Sequence, residues 1–139
     1  MASLSDRKIR TVFHNEAIIP YENFDPYLER QDPCGAIINI NEYRKESSCG
    51  WNIDHILPVA KGGTDDIANL RAMHWKNNRS KANDFPVFIS VSTCFGQHNV
   101  RSDARRYWDE PTLLKLKELY PNNPHINEAI ETVSKIKKK

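Results

Sequence analysis

The sequence predicts a single domain of the α+β class, with short strands in the middle of the chain and helices in its last third. Short β-rich or apolar stretches occur at residues 36–40, 51–53 and 87–92. Apolar residues recur at helical spacing after residue 109. A chain of 139 residues fits one hydrophobic core, so we expect one domain over residues 1–139.

The N-terminal part of the chain predicts an irregular arm. Residues 1–33 mix charged, aromatic and proline residues without a sustained hydrophobic period. The first residues lack the apolar run of a secretory signal, and no stretch reaches the roughly 20 apolar residues of a membrane span. We therefore expect an intracellular protein, in the cytoplasm, nucleoid or nucleus, that has no membrane partner.

The middle of the chain predicts two strands of a small ribbon. Residues 36–40, AIINI, follow the turn-like run Asp32-Pro33-Cys34-Gly35 and are β-rich. Residues 51–53 are a second such stretch, and they lead directly into Asp54 and His55. An acid and an imidazole are therefore expected at the end of the second strand.

A loop and a short helix are expected after this ribbon. Pro58 and the Gly62-Gly63 pair break regular structure, which predicts a loop over residues 56–68 that ends at Asn69. The polar run at residues 75–83 suits a short exposed helix.

The last third of the chain predicts two helices. Residues 87–92, VFISVS, fit a strand or a buried helix by pattern alone, and we favour a strand. Asp109-Glu110-Pro111 is typical of a helix start, and leucines follow it at helical spacing. Apolar residues from Ile126 to Ile136 indicate a last amphipathic helix. We expect this C-terminal helical extension over about residues 103–139.

Charge and cysteine content narrow the function only slightly. The formal net charge of +2 permits nucleic-acid binding without arguing for it, so local clusters of charge must decide. Cys34, Cys49 and Cys94 are odd in number, widely spaced and form no C-x-x-C pair. They predict reduced thiols, and no structural zinc is expected.

Residues 51–84 concentrate an acid, an imidazole and carboxamides around the glycine break. Phosphodiester cleavage needs an activated water, a cation at the phosphate and stabilisation of the departing oxygen. His55 is the candidate general base, because an imidazole accepts a proton near neutral pH. Alternation along a strand would direct Asp54 and His55 to opposite sides, so both serve one site only if the strand ends there, which Pro58 favours.

Two carboxamides complete the candidate site. The carboxylate of Asp54 and the amide oxygen of Asn78 are hard ligands that suit one divalent ion, Mg²⁺ or Mn²⁺. Asn69 is expected to brace the loop against the strand that carries His55, since an amide both donates and accepts. Taken singly, histidines and asparagines at such places more often pack, cap helices or form turns.

Basic residues around this segment predict contacts with phosphates. A solvated helix face is the alternative reading for those on the short helix. The predicted DNA-binding residues are Lys61, Lys76, Arg79, Lys81, Arg105 and Arg106.

The ordered run D-H-I-x-P-x-x-x-G-G…N-L…N-N-x-x-K closely resembles the HNH endonuclease family. The residues that carry it are Asp54, His55, Ile56, Pro58, Gly62, Gly63, Asn69, Leu70, Asn77, Asn78 and Lys81. With its upstream part, the resemblance covers about residues 25–85. It implies a ββα-metal (His-Me finger) core, with the motif over about 34–85, in which two antiparallel strands and a helix hold one metal.

By this resemblance Asp54 and Asn78 are metal ligands, His55 is the general base and Asn69 orients that base. Asn78 stands where many members have histidine, and the zinc-binding cysteine pairs of many relatives are missing. The resemblance thus implies a Mg²⁺- or Mn²⁺-dependent endonuclease acting on double-stranded DNA and leaving a 5′-phosphate and a 3′-hydroxyl. Homodimerisation on a palindrome and low sequence specificity both stay open, as do two alternatives: a DNA-binding module that does not cut, and an RNA-directed nuclease.

Overall fold

The structure is a computed structural model that describes residues 4–137. It contains helices and small antiparallel strand pairs, so the predicted α+β class is confirmed. The termini of the predicted 1–139 domain, residues 1–3 and 138–139, lie outside the described residues. The helices and strands are α1 (Asp6–His14), β1 (Glu29–Gln31), β2 (Ile37–Asn39), β3 (Trp51–His55), β4 (Leu70–His74), α2 (Trp75–Lys81), β5 (Val87–Phe95), β6 (His98–Tyr107), α3 (Glu110–Leu119) and α4 (Pro124–Lys137). The strand pairs are β1–β2, β3–β4 and β5–β6.

The N-terminal arm contains the helix α1, so its prediction as irregular is wrong for residues 6–14. Ser5 caps this helix, and the negative charge of Asp6 in the first turn interacts favourably with the positive end of the helix dipole. Phe13 is fully buried, and its ring lies 5.2 Å from that of Trp51 in β3. Such a short helix carries too few apolar residues for a period to stand out in the sequence.

The strand that leads into Asp54 has a different partner from the one expected. β3 pairs with β4, with Trp51 opposite His74 and His55 opposite Leu70, whereas β2 pairs with β1. The predicted ribbon of residues 36–40 and 51–53 is therefore wrong in its pairing. β4 has the sequence LRAMH, and leucine, arginine, alanine and methionine are good helix formers, so pairing with β3 overrides local preference here.

The helix α2 begins directly after β4, and buried polar contacts fix it. The His74 Nδ1 atom accepts the N–H of Lys76 at 3.1 Å and so caps the helix. The Asn77 amide accepts two backbone N–H groups of β5 and donates to Asp32 Oδ2 at 3.1 Å. Asn77 and Lys81 are both buried, so α2 is not the exposed helix that the sequence predicts.

The C-terminal part packs beneath the loop that follows β3. The favoured strand at 87–92 is confirmed as part of β5, and β6 extends to Tyr107, so the helices begin at Glu110 rather than at about residue 103. Among residues 4–137, no helix has the length and apolar character to cross a membrane. Side chains of α3 and α4 form one core with the loop after β3, and these are Ile56, Leu57, Leu113, Leu116, Ile126, Ala129 and Val133.

Glu16, two residues after α1, ties the N-terminal segment to β4. Glu16 is only 3% exposed. Its carboxylate accepts hydrogen bonds from Arg71 Nε at 2.9 Å, from Arg71 Nη2 at 2.7 Å and from the Ala72 N–H at 3.0 Å. Burial raises the pKa of the Glu16 carboxyl, and the hydrogen bond and charge of Arg71 oppose that rise. This bidentate pair holds α1 against the β3–β4 hairpin.

Replacing Glu16 should therefore weaken the whole domain. Glu16→Ala leaves the Ala72 N–H and the Arg71 guanidinium without their partner, and we expect the free energy of unfolding to fall by roughly 2–4 kcal/mol. Urea unfolding followed by circular dichroism measures this loss. Glu22→Ala, at an exposed position, is the control and should change stability by less than about 0.5 kcal/mol. Equal stability of both variants would contradict the role given to Glu16.

Candidate active site

A cleft of about 300 Å³ lies between the end of β3, the turn that follows it and α2. Asp54, His55 and Asn78 line it together. β3 ends at His55, and the chain turns there, so two neighbouring side chains reach one cleft despite strand alternation. Asn69 is fully buried behind this cleft and does not line it.

Asp54 forms a buried ion pair with Lys81. Lys81 is 0% exposed, and its Nζ lies 3.2 Å from Asp54 Oδ1 and donates to the backbone oxygen of His55 at 3.1 Å. The prediction that Lys81 contacts DNA is therefore wrong. Lys81 lies four residues after the buried Asn77, so both side chains belong to the inward face of α2, and that spacing is the signal in the sequence.

The second oxygen of Asp54 is buried without a partner. Within residues 4–137, Oδ2 has no hydrogen-bond donor, although Asp54 is only 4% exposed. Burial raises the pKa of Asp54 to about 6, and the charge of Lys81 only partly offsets this rise. A buried carboxylate oxygen without a donor, on a residue that lines a cleft, is suited to a cation.

Asn78 supplies the other oxygen at this cleft. Its neighbour Asn77 is used in packing α2 against β5 and Asp32, whereas Asn78 lines the cleft. Across residues 4–137, no cluster of three or more His, Cys, Asp or Glu side chains is placed to hold a metal. A metal here would thus take one carboxylate and one amide oxygen from the protein and complete its shell with water and substrate, an arrangement that Mg²⁺ tolerates well.

Asn69 closes the loop between β3 and β4 with three hydrogen bonds. Its Oδ1 accepts from the Leu57 N–H at 2.8 Å, and its Nδ2 donates to the backbone oxygens of Leu57 at 3.1 Å and of Thr64 at 3.0 Å. The backbone oxygen of Asn69 also accepts from the Ile56 N–H at 2.8 Å. The residues that directly follow His55 are therefore fixed from both the side chain and the backbone of Asn69.

His55 has a carboxylate partner that the sequence prediction missed. Its Nε2 lies 2.7 Å from Asp65 Oδ1, and the two side chains are 19% and 40% exposed, respectively. Asp65 is the first of two acids that follow Thr64 after the Gly62-Gly63 break, in the loop that returns to β4. A sequence pattern gives no reason to pair one of these acids with His55, because the contact depends on how the loop folds back.

The predicted DNA-binding residues fall into different surroundings. Lys76 and Arg79 are exposed and lie over the Trp75 ring, and Arg79 also pairs with Glu46. Lys61 is half-buried near the cleft, in the turn before Gly62. Arg105 is exposed on β6.

Arg106 is engaged within the fold. It donates to Ser90 Oγ at 3.0 Å and to the Cys34 backbone oxygen at 3.1 Å, so it joins β6 to β5 and to the β1–β2 turn. The prediction that Arg106 contacts DNA therefore has no support in its surroundings. A second groove of about 470 Å³ shares Asn78 with the first and contains two basic residues that the sequence prediction missed, Arg44 and Lys45.

Comparison with known proteins finds a family match for the part of the chain that forms the cleft. Residues 41–84 match the HNH endonuclease family. The resemblance expected from the motif is thus confirmed over this region, which contains β3, β4 and α2 and every residue that lines the cleft. The matched family is one of endonucleases.

One curated relative shares part of this sequence. Hybrid PKS-NRPS synthetase thnA of Trichoderma harzianum is 31% identical over 75 residues, which are 54% of this chain and 2% of that protein. This chain spans only 2% of that relative, so the activity of the synthetase says nothing about the activity of this protein. No solved structure gives a significant match.

The hydrogen bonds between Asn69 and the loop that joins β3 to β4 should contribute to the folding stability of the protein. Asn69→Ala removes three hydrogen bonds and leaves the Leu57 N–H buried without an acceptor, so we expect the free energy of unfolding to fall by about 2–4 kcal/mol. The test is urea unfolding of the variant beside Asn122→Ala, whose side chain is exposed. If the two variants unfold at the same urea concentration, Asn69 does not hold the loop.

Proposed function

We propose that this protein is a metal-dependent endonuclease that hydrolyses phosphodiester bonds in double-stranded DNA. The observation that carries the proposal is the meeting of Asp54, His55 and Asn78 in one cleft, with Asp54 Oδ2 buried and lacking a hydrogen-bond donor among residues 4–137. In this proposal β3, β4 and α2 are the ββα-metal core. The match of residues 41–84 to the HNH endonuclease family supports it.

One Mg²⁺ or Mn²⁺ ion would be held by Asp54 Oδ2 and Asn78 Oδ1. When bound, such an ion neutralises charge on the scissile phosphate and on the departing oxygen. Lys81 occupies the other oxygen of Asp54, which leaves Oδ2 for the ion. It also fixes the end of α2 near the end of β3, which keeps Asn78 and Asp54 on the same cleft.

His55 would act as the general base. Its imidazole takes a proton from a water in the cleft, and the water oxygen forms a bond to phosphorus. The bond from phosphorus to the 3′ oxygen breaks, and that oxygen takes a proton from a second water. This leaves a 5′-phosphate and a 3′-hydroxyl. Asn69 takes no part in these bonds and acts by fixing the Ile56-Leu57 backbone beside the base.

The second groove offers a path for the substrate backbone. It begins at Asn78, and Arg44, Lys45 and Arg79 lie along it. Lys45 pairs with Glu42 and Arg79 with Glu46. Both cations are exposed, so phosphates compete readily for them. Nucleic acid laid along this groove would bring a phosphate to the metal ligands.

His55→Ala should abolish cutting. Loss of a general base is expected to slow cleavage of supercoiled plasmid by about 100- to 10,000-fold with Mg²⁺ or Mn²⁺, measured as relaxed and linear products on a gel. His98→Ala, an exposed histidine on β6, is the matched control and should cut like the wild type. A structured RNA treated in parallel tests the RNA-directed alternative. Cutting by His55→Ala at the wild-type rate would rule out this mechanism, and an inert wild type that still binds DNA would favour a binding module.

Asp54→Asn should weaken metal binding. The amide keeps an oxygen for Lys81 but removes the negative charge, so we expect Mn²⁺ affinity to fall by at least about 10-fold in electron paramagnetic resonance titrations. Asp84→Asn, at an exposed position after α2, serves as the control. Unchanged Mn²⁺ affinity in Asp54→Asn would show that the ion binds elsewhere.

A further inference from the structure

The contact between His55 and Asp65 fixes which ring nitrogen carries the proton. A carboxylate oxygen can only accept, so the short 2.7 Å contact requires that Nε2 of His55 donates. A neutral imidazole then has its lone pair on Nδ1. Within the described part of the chain, no hydrogen bond joins Nδ1 to another residue. The nitrogen able to take a proton is therefore free for a molecule in the cleft.

The loop that carries Asp65 is held from three sides. The Tyr120 hydroxyl accepts the Thr64 N–H at 3.0 Å and lies 2.7 Å from Thr64 Oγ1, while Asn69 donates to the Thr64 backbone oxygen at 3.0 Å. Lys8, in α1, donates to the backbone oxygen of Asp65 itself. Tyr120 and Lys8 lie outside the matched region at 41–84, so parts of the chain beyond that region determine where Asp65 lies.

The turn before Asp65 admits little other geometry. Gly62 has a φ of 101°, in the left-handed region that favours glycine. A side chain at Gly63 would place its Cβ 1.8 Å from the Leu57 backbone oxygen, so this turn is pressed directly onto the residues that follow His55. Asn123 adds a hydrogen bond to the Lys61 backbone oxygen at 2.7 Å. The loop therefore places the Asp65 carboxylate against the His55 imidazole.

We propose that Asp65 is a positioning residue for the general base His55. It holds the ring in the tautomer with the proton on Nε2, so that Nδ1 receives the proton of the attacking water. The resulting imidazolium keeps both protons, the one on Nε2 facing Asp65, and no proton passes to the carboxylate. This inference rests on the proposed nuclease function, and it assigns a role that a simple surface ion pair would not have.

A surface ion pair would show itself differently. With Asp65 at 40% exposure, an ion pair with His55 contributes little to folding stability. If Asp65 only formed a surface ion pair, its replacement should change neither folding stability nor turnover. A positioning role predicts a loss of turnover without a loss of stability or of substrate affinity.

The decisive variant is Asp65→Asn, with Asp66→Asn as the matched control. Asp66 accepts the Ala68 N–H with its side chain, a role that asparagine keeps. An amide at position 65 can donate to Nε2 and favour the wrong tautomer, so we expect kcat for plasmid cleavage to fall by about 100-fold or more with KM unchanged. Asp65→Glu should recover part of this loss. The urea midpoint of all three variants should stay near that of the wild type.

Nitrogen NMR of ¹⁵N-histidine-labelled protein gives a readout that does not depend on cutting. The wild-type His55 ring should show the Nε2-protonated tautomer, and Asp65→Asn should shift the population towards the Nδ1-protonated form. Wild-type kcat in Asp65→Asn, or an equal loss in Asp66→Asn, would overturn the positioning role. An inert wild type would overturn the nuclease proposal and the catalytic role together, whereas an unchanged tautomer in Asp65→Asn would overturn the role of Asp65 alone.

Discussion

The buried ion pair between Lys81 and Asp54 is the contact on which the arrangement of the cleft depends. Placing a lysine at 0% exposure is costly unless its charge is paired and hydrogen-bonded. Lys81 meets both conditions at one point, because it pairs with the side chain of Asp54 and donates to the backbone of His55. The end of α2 is thereby fixed to the end of β3, and only one Asp54 oxygen remains for a ligand.

Elements at both ends of the chain support a site that lies in its middle. α1 reaches the hairpin through Phe13 and Glu16, and it reaches the loop after β3 through Lys8. The residues between α3 and α4 hold the same loop through Tyr120 and Asn123. The region that matches the HNH endonuclease family is thus a small hairpin and a seven-residue helix whose geometry is completed by the rest of the domain.

The sequence predicted the cleft better than it predicted the fold around it. Asp54, His55 and Asn78 stand in a motif with fixed spacing, so their meeting could be expected from the sequence. The pairing of β3 with β4 could not, because LRAMH has helical preference and its strand form comes from a distant partner. The contacts of Lys81 and Asp65 could not be expected either. The four-residue spacing from Asn77 places Lys81 on the same face of α2, but the groups that Lys81 and Asp65 contact are decided by tertiary packing.

Anomalous diffraction from crystals soaked in Mn²⁺ would show directly whether Asp54 and Asn78 hold a metal ion, as proposed. We expect a single strong manganese peak in contact with Asp54 Oδ2 and Asn78 Oδ1, with Lys81 still bonded to Oδ1. The peak should be lost when the same soak is applied to crystals of Asp54→Asn. A cleft without manganese in the wild type, or a peak at a different group of side chains, would show that these two residues are not the metal ligands.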